Sequence, residues 1–212
     1  MSGLFLFMML LVLVALQESG QLSRAKAKWE NTVGIRKDII KEIKGALENE
    51  GIEVTVNEKD GTISLKDEIF FDYGKTAIIP TGQEVLKKAM PTISKIIFSN
   101  DDYIKNVIAI EINGYASEYT PFNKTYSDSM MVLSLSRSEE IWRYTYNLKN
   151  FPHHRIFFKK LKVSGWGNQR ANSVKDNPKD RRVEFGLKFY EPWEDIMGID
   201  QYEDVKKGFN QN

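Results

Sequence analysis

The stretch "LSLSRSEEIW", Leu133 to Trp142, holds the side chain with the most chemistry to offer. Leu133, Arg137 and Ile141 recur every four residues and therefore stack on one face of a helix. A guanidinium between two apolar neighbours loses hydration, and it is tolerated only where a carboxylate or several acceptors meet it. Arg137 therefore needs a partner, and an internal ion pair with Glu184 or Asp128 is one way to supply it. The other reactive side chains are less suggestive. His153 and His154, the only histidines, are adjacent, so they point apart and make a poor shared metal site. Without cysteine there is no disulfide, thiolate nucleophile or Cys-ligated zinc. "GWG", Gly165 to Gly167, is too short for a nucleotide fingerprint and reads as a turn between strands. Asn123-Lys124-Thr125 matches a glycosylation sequon, which matters only in a eukaryotic secretory chain. No Ser-His-Asp, paired-carboxylate or P-loop pattern stands out, so neither an enzyme nor a bound cofactor or metal is expected.

The elements that would position Arg137 follow from periodicity. With 212 residues, 42% hydrophobic content and a formal charge of +1, the chain suits one globular domain plus an appendage, and its balanced charge gives no reason to expect nucleic acid. "GLFLFMMLLVLVAL", Gly3 to Leu16, carries no charge and belongs in a bilayer, although it is shorter than the roughly 20 residues that a full span needs. Met1-Ser2-Gly3 lacks the basic flank of a signal peptide, and "VALQESG" is a poor cleavage site. Residues 1–17 are therefore expected to be a transmembrane anchor helix. Residues 18–51 read as an amphipathic linker helix, with Ile35, Ile39, Ile43 and Leu47 on one side and a stop at Gly51.

"IEVTVNEKDGTISL" alternates apolar and polar residues around Lys59-Asp60-Gly61 and predicts a hairpin. "DEIFFDYGKTAIIP" is read as a further strand. A helix over Gly82 to Phe98 should bend or restart at Pro91. "VIAIEINGY", Val107 to Tyr115, has the continuous β-branched character of a buried central strand. A polar loop then leads to the helix carrying Arg137, with Asp128 and Ser129 as candidate N-caps. "FFKKLKVSGWG" and "RRVEFGLKFY" read as the last two strands, and residues 191–212 as a loosely attached polar tail. The expected class is α+β: a hairpin, then β-α-β-α-β-β, with helices on one face of a mixed sheet.

Five segments in order, "FFDYGKTAIIPTGQEVLKKAMPTI", "IEINGYASE", "LSLSRSEEIWRYTYNL", "VSGWGN" and "DRRVEFGL", resemble the OmpA-like peptidoglycan-binding domain over about residues 52–190. The resemblance implies that Arg137 grips the carboxylate of a diaminopimelate in a peptidoglycan stem peptide, an acidic acceptor taking its ammonium. Planar two-pronged recognition of a carboxylate is what a guanidinium does well. Ser117 stands where the family has that aspartate, Met130 where it has an asparagine, and Asp180 where an asparagine usually precedes the paired arginines. Ser117 brings no charge, so Glu118 or Asp128 would supply the acceptor. Arg182, from the N-R-R-V-E-like segment, completes the implied set.

An apolar anchor, a charged helix and an OmpA-like domain together resemble the B subunits of ion-driven rotary stators, of the flagellar MotB type or the Zorya anti-phage type. That resemblance implies a homodimer, a polytopic A-type membrane partner and a single pass through a bacterial inner membrane, with the C-terminal domain in the periplasm or otherwise outside the membrane. Such subunits carry a transmembrane aspartate just ahead of the apolar run. No acidic residue precedes Glu18 here, so the aspartate is expected upstream of Met1.

Overall fold

The computed structural model describes residues 2–57, 61–117, 124–171, 177 and 180–191. Glu118 lies outside them, as do the Lys59-Asp60 part of the expected turn, Asn123 of the sequon and the tail beyond Glu191. The chain forms two compact units, one of residues 36–189 and another that includes the first 35 residues.

Helix α1 runs without interruption from Ser2 to Asn49, joining in one element what reads in sequence as an anchor and a separate linker helix. Leu6, Phe7, Met8, Met9, Leu10, Leu11 and Val14 are exposed on it. Among the described residues no helix is long and apolar enough to cross a membrane, so the expected span is not shown. In the larger unit Ile39, Ile43 and Leu47 are fully buried, as the four-residue spacing requires. The helix ends as predicted: Gly51 takes φ +76°, Ile52 N–H donates to Leu47 O at 3.0 Å and Gly51 N–H to Glu48 O at 3.0 Å. This is the paired bonding of a Schellman motif, which only a residue at ease with positive φ closes cheaply.

Strands β1 (Thr55–Asn57) and β2 (Thr62–Lys66) form the expected antiparallel hairpin. A short 3-10 helix (Asp67–Ile69) and α2 (Pro80–Ile97) follow, and α2 continues through Pro91 with no restart. The expected strand between them reduces to one bridge, Phe71 to Ile78. Next come α3 (Asp101–Asn106), β3 (Val107–Tyr115), α4 (Lys124–Tyr146), α5 (His154–Lys160), β4 (Leu161–Gly165) and β5 (Arg182–Phe189). Asp128 and Ser129 fall inside α4 rather than capping it. The sheet order is β1-β2-β5-β3-β4, with β3 and β4 parallel and all other pairs antiparallel.

Alternation assigns the two sheet faces. Ile63, Leu65, Ile110, Ile112, Val183, Phe185 and Leu187 pair in register and are at most 3% exposed, giving the core face. Each fully buried side chain of this size contributes roughly 1.5–3 kcal/mol relative to exposure. Helix α4 covers this face against β3 and β4, and α2 packs on α4. Thr62, Ser64, Glu111, Asn113, Tyr115, Arg182, Glu184 and Lys188 belong to the other face. "FFKK", read as strand, is helical in α5 because Phe151, Phe157, Phe158, His154 and Tyr146 interlock as rings 4.6–6.0 Å apart, so aromatic packing overrides local propensity. That cluster also occupies His154, whose Nε2 lies 2.9 Å from Tyr146 O.

Lys160 ends α5 buried, with its ammonium on Ile104 O at 3.1 Å and on Val107 O. Burial lowers its pKa from an ordinary 10.5 to about 8. Above the native value the unfolded chain still holds the proton and the folded chain does not. Stability should therefore rise between about pH 8 and 10, by at most roughly 1.4 kcal/mol per pH unit. Urea midpoints should rise through the lower part of that window in the parent, and that rise should be absent in Lys160→Met; a parent that weakens throughout the window would contradict the assignment.

Candidate functional site

Two glycines let α4 sit directly on the sheet. A Cβ on Gly114 would lie 2.3 Å from Ser134 O, and one on Gly165 would lie 2.4 Å from Leu135 N. Both contacts are with backbone, so no rotamer change relieves them. Ser134 locks the same seat: its hydroxyl accepts from Gly167 N–H at 2.9 Å and donates to Met131 O at 2.9 Å. Gly167 O in turn accepts from Ala116 N–H at 2.7 Å, where the chain leaves β3.

This seat sets the position of Arg137, which is 3% exposed. Its Nε donates to Lys75 O at 2.8 Å and its Nη2 to Asp72 O at 3.2 Å, and its guanidinium carbon lies 5.0 Å from the centre of the Phe71 ring. The buried cation therefore organises the loop between Phe71 and Ile78 through backbone acceptors. Glu184, one of the expected internal partners, pairs instead with Arg182 at 2.6 Å. From outside, Arg181 reaches the same loop, 5.4 Å over the Tyr73 ring and 3.7 Å from Glu68 Oε1. Gly74, at φ +69°, makes the reversal that presents both carbonyls to Arg137.

The remaining expected site residues do not all gather here. Ser117 is buried two residues beyond β3. Asp128 lies within α4, with its side chain outside the described set. Arg182 is on the opposite sheet face, 4.1 Å over the Tyr115 ring. There it belongs to a cluster that the sequence did not announce. Tyr115 and Trp166 stack at 6.3 Å and 12°, and Arg170 lies 4.3 Å over Trp166. Burial, then the hydrogen bond to Glu184, raises the Tyr115 pKa, so its phenol stays a donor at any physiological pH. A cleft of about 310 Å³ opens beside this stack, lined by Glu111, Asn113, Gly186 and Lys188 among others. The only sequence signal was the open-face register of residues 111, 113 and 115, which alternation reveals once β3 is known. Among the described residues no His, Asp and Glu cluster could hold a metal ion.

Among solved structures, a MotB-like protein from Desulfovibrio vulgaris matches with a TM-score of 0.56 at 19% identity, covering 76% of this chain and 99% of that one. The periplasmic domain of Helicobacter pylori MotB matches with a TM-score of 0.47 at 20% identity over 74% and 91% of the two chains. The cell wall anchor of the T6SS from Pseudomonas aeruginosa matches with a TM-score of 0.47 at 14% identity over 73% and 99%. The first of these shows a shared fold. No curated protein matches the chain. The OmpA family matches residues 70–184, more than half of the sequence, from Phe70 at the Arg137-held loop to Glu184 on β5. On that match the chain belongs to the OmpA family.

Proposed function

We propose that this protein binds the bacterial cell wall, with Arg137 gripping a carboxylate of the peptidoglycan stem peptide. The carrying observation is the OmpA-family match around a buried arginine whose plane is preset by two carbonyls of one loop. In a desolvated site a guanidinium–carboxylate contact is far stronger than in water, and a preset plane favours two-pronged capture. Ser117, Glu118 and Asp128 are the acceptors proposed for the ammonium of the same ligand; Arg182, on the other sheet face, is not placed with them. Sedimentation of the protein with purified sacculi tests this reading. Wild type should co-sediment and Arg137→Lys should not, since lysine cannot reproduce the fork. Wild type remaining in the supernatant would sink it.

The finer proposal is a stator-type B subunit: a homodimer in the bacterial inner membrane beside a polytopic A-type partner, serving flagellar rotation or anti-phage defence, with its domain in the periplasm. The support is the set of exposed apolar side chains near the start of α1, Leu6 to Leu11 and Val14, which needs lipid or protein to cover it, together with the fold shared with a MotB-like protein. A simple membrane tether or a dimerising protein-interaction scaffold, in either case without ion conduction, is the competing reading. Because the chain has no cysteine, single substitutions Leu10→Cys, Leu11→Cys and Val14→Cys report the arrangement cleanly. Oxidation in membranes should trap a homodimer at one or more of these positions, and monomer at all three would leave only the tether.

A further inference from the structure

Asn113 is oriented by its neighbours. Its Oδ1 accepts from Ser164 Oγ and from Trp166 Nε1 at 3.4 Å, which fixes the amide so that Nδ2 carries the unused donors. Those donors face the space above Gly186, on the open side of the sheet. A carbon set there in place of the missing Cβ would lie 3.5 Å from Glu111 Oε2 and 3.6 Å from Asn113 Nδ2. A donor and a carboxylate acceptor thus flank one bare floor position, which is the pattern that reads both edges of a secondary amide. Glu111 forms no ion pair among the described residues. Arg170 and Lys188 line the same cleft. With Glu184 neutralised by Arg182, the cleft carries two cations against one carboxylate, a surplus that suits one anionic group.

We propose that this cleft binds the C-terminal residue of a peptide. Its last amide would lie over Gly186, with N–H to Glu111 and C=O to Asn113, and its free carboxylate would meet Arg170, with Lys188 adding attraction from the rim. About 310 Å³ is at the small end of ligand sites and fits an N-acylated amino acid. The site is on the face opposite Arg137 and stands or falls independently of the wall-binding reading.

Saturation-transfer NMR on the full chain, with N-acetylglycine and N-acetylglycinamide as probes, tests it. N-acetylglycine should give saturable transfer with a Kd of about 1 mM, and the uncharged amide should bind about tenfold more weakly. Gly186→Ala fills the floor at ordinary contact distances of 3.4–3.6 Å, so it should fold normally yet lose binding about tenfold. Asn113→Asp keeps both bonds on Oδ1 but removes the donors, and should also lose binding. Arg137→Lys should leave this binding unchanged. Equal transfer from the two probes, no transfer from N-acetylglycine, or unaltered affinity in the Gly186 and Asn113 variants would each overturn the proposal.

Discussion

Gly114→Ala is expected to destabilise the fold by about 3 kcal/mol or more, lowering the melting temperature by roughly 6–12 °C. The added methyl meets Ser134 O at 2.3 Å and the Ser138 hydroxyl at 2.6 Å. Overpacking in cores usually costs about 1–3 kcal/mol because side chains shift to make room. Here the nearest obstacle is backbone, so relief requires α4 to lift from β3 and β4. Lifting would break the bond from Gly167 N–H to Ser134 and displace Arg137. Gly165→Ala should behave alike, with Leu135 N at 2.4 Å. Gly186→Ala is the internal control: its methyl enters at 3.4 Å or more, so its melting point should stay near that of the parent. Circular dichroism melts of the three variants decide the matter. A Gly114→Ala protein melting within about 2 °C of the parent would show that α4 is not seated as described.

These glycines show why parts of the molecule were legible in sequence and others were not. The run Val107–Tyr115 announced a central strand because its side chains are buried or half-buried on both faces, and burial on both faces leaves a β-branched signature. The four-residue spacing around Arg137 announced its burial for the same reason. What the arginine holds was not legible, because two of its acceptors are the carbonyls of Asp72 and Lys75, and a carbonyl belongs to every residue alike. The aromatic character of Phe70-Phe71 suggested a strand, yet Gly74 and the pull of Arg137 open the segment into a loop with a single bridge. "FFKK" misled similarly, since its ring partners Tyr146 and Phe151 come from outside the segment. The open-face cleft was the least legible feature. Asn113, the Trp166–Arg170 segment and Gly186 come from three separate stretches that only the sheet order β5-β3-β4 brings together.

Arg137→Ala should cost about 2–4 kcal/mol, since it removes a donor from Lys75 O and from Asp72 O, which keeps Lys75 N–H, and leaves a void against Phe71 in a seat that is 3% exposed. Loss of order should be concentrated in the loop it holds. Lys75 is exposed in that loop, so trypsin should cut after it faster in Arg137→Ala than in the parent. Arg137→Lys should recover part of the stability, because an ammonium can satisfy one carbonyl, but it cannot span Asp72 O and Lys75 O in the plane of a guanidinium. The lysine variant therefore separates the two roles of this side chain. If it melts near the parent, resists trypsin and yet fails to sediment with sacculi, Arg137 contacts the wall ligand itself. Should it resist trypsin and sediment as well as the parent, the arginine serves only the loop, and another group must carry the binding.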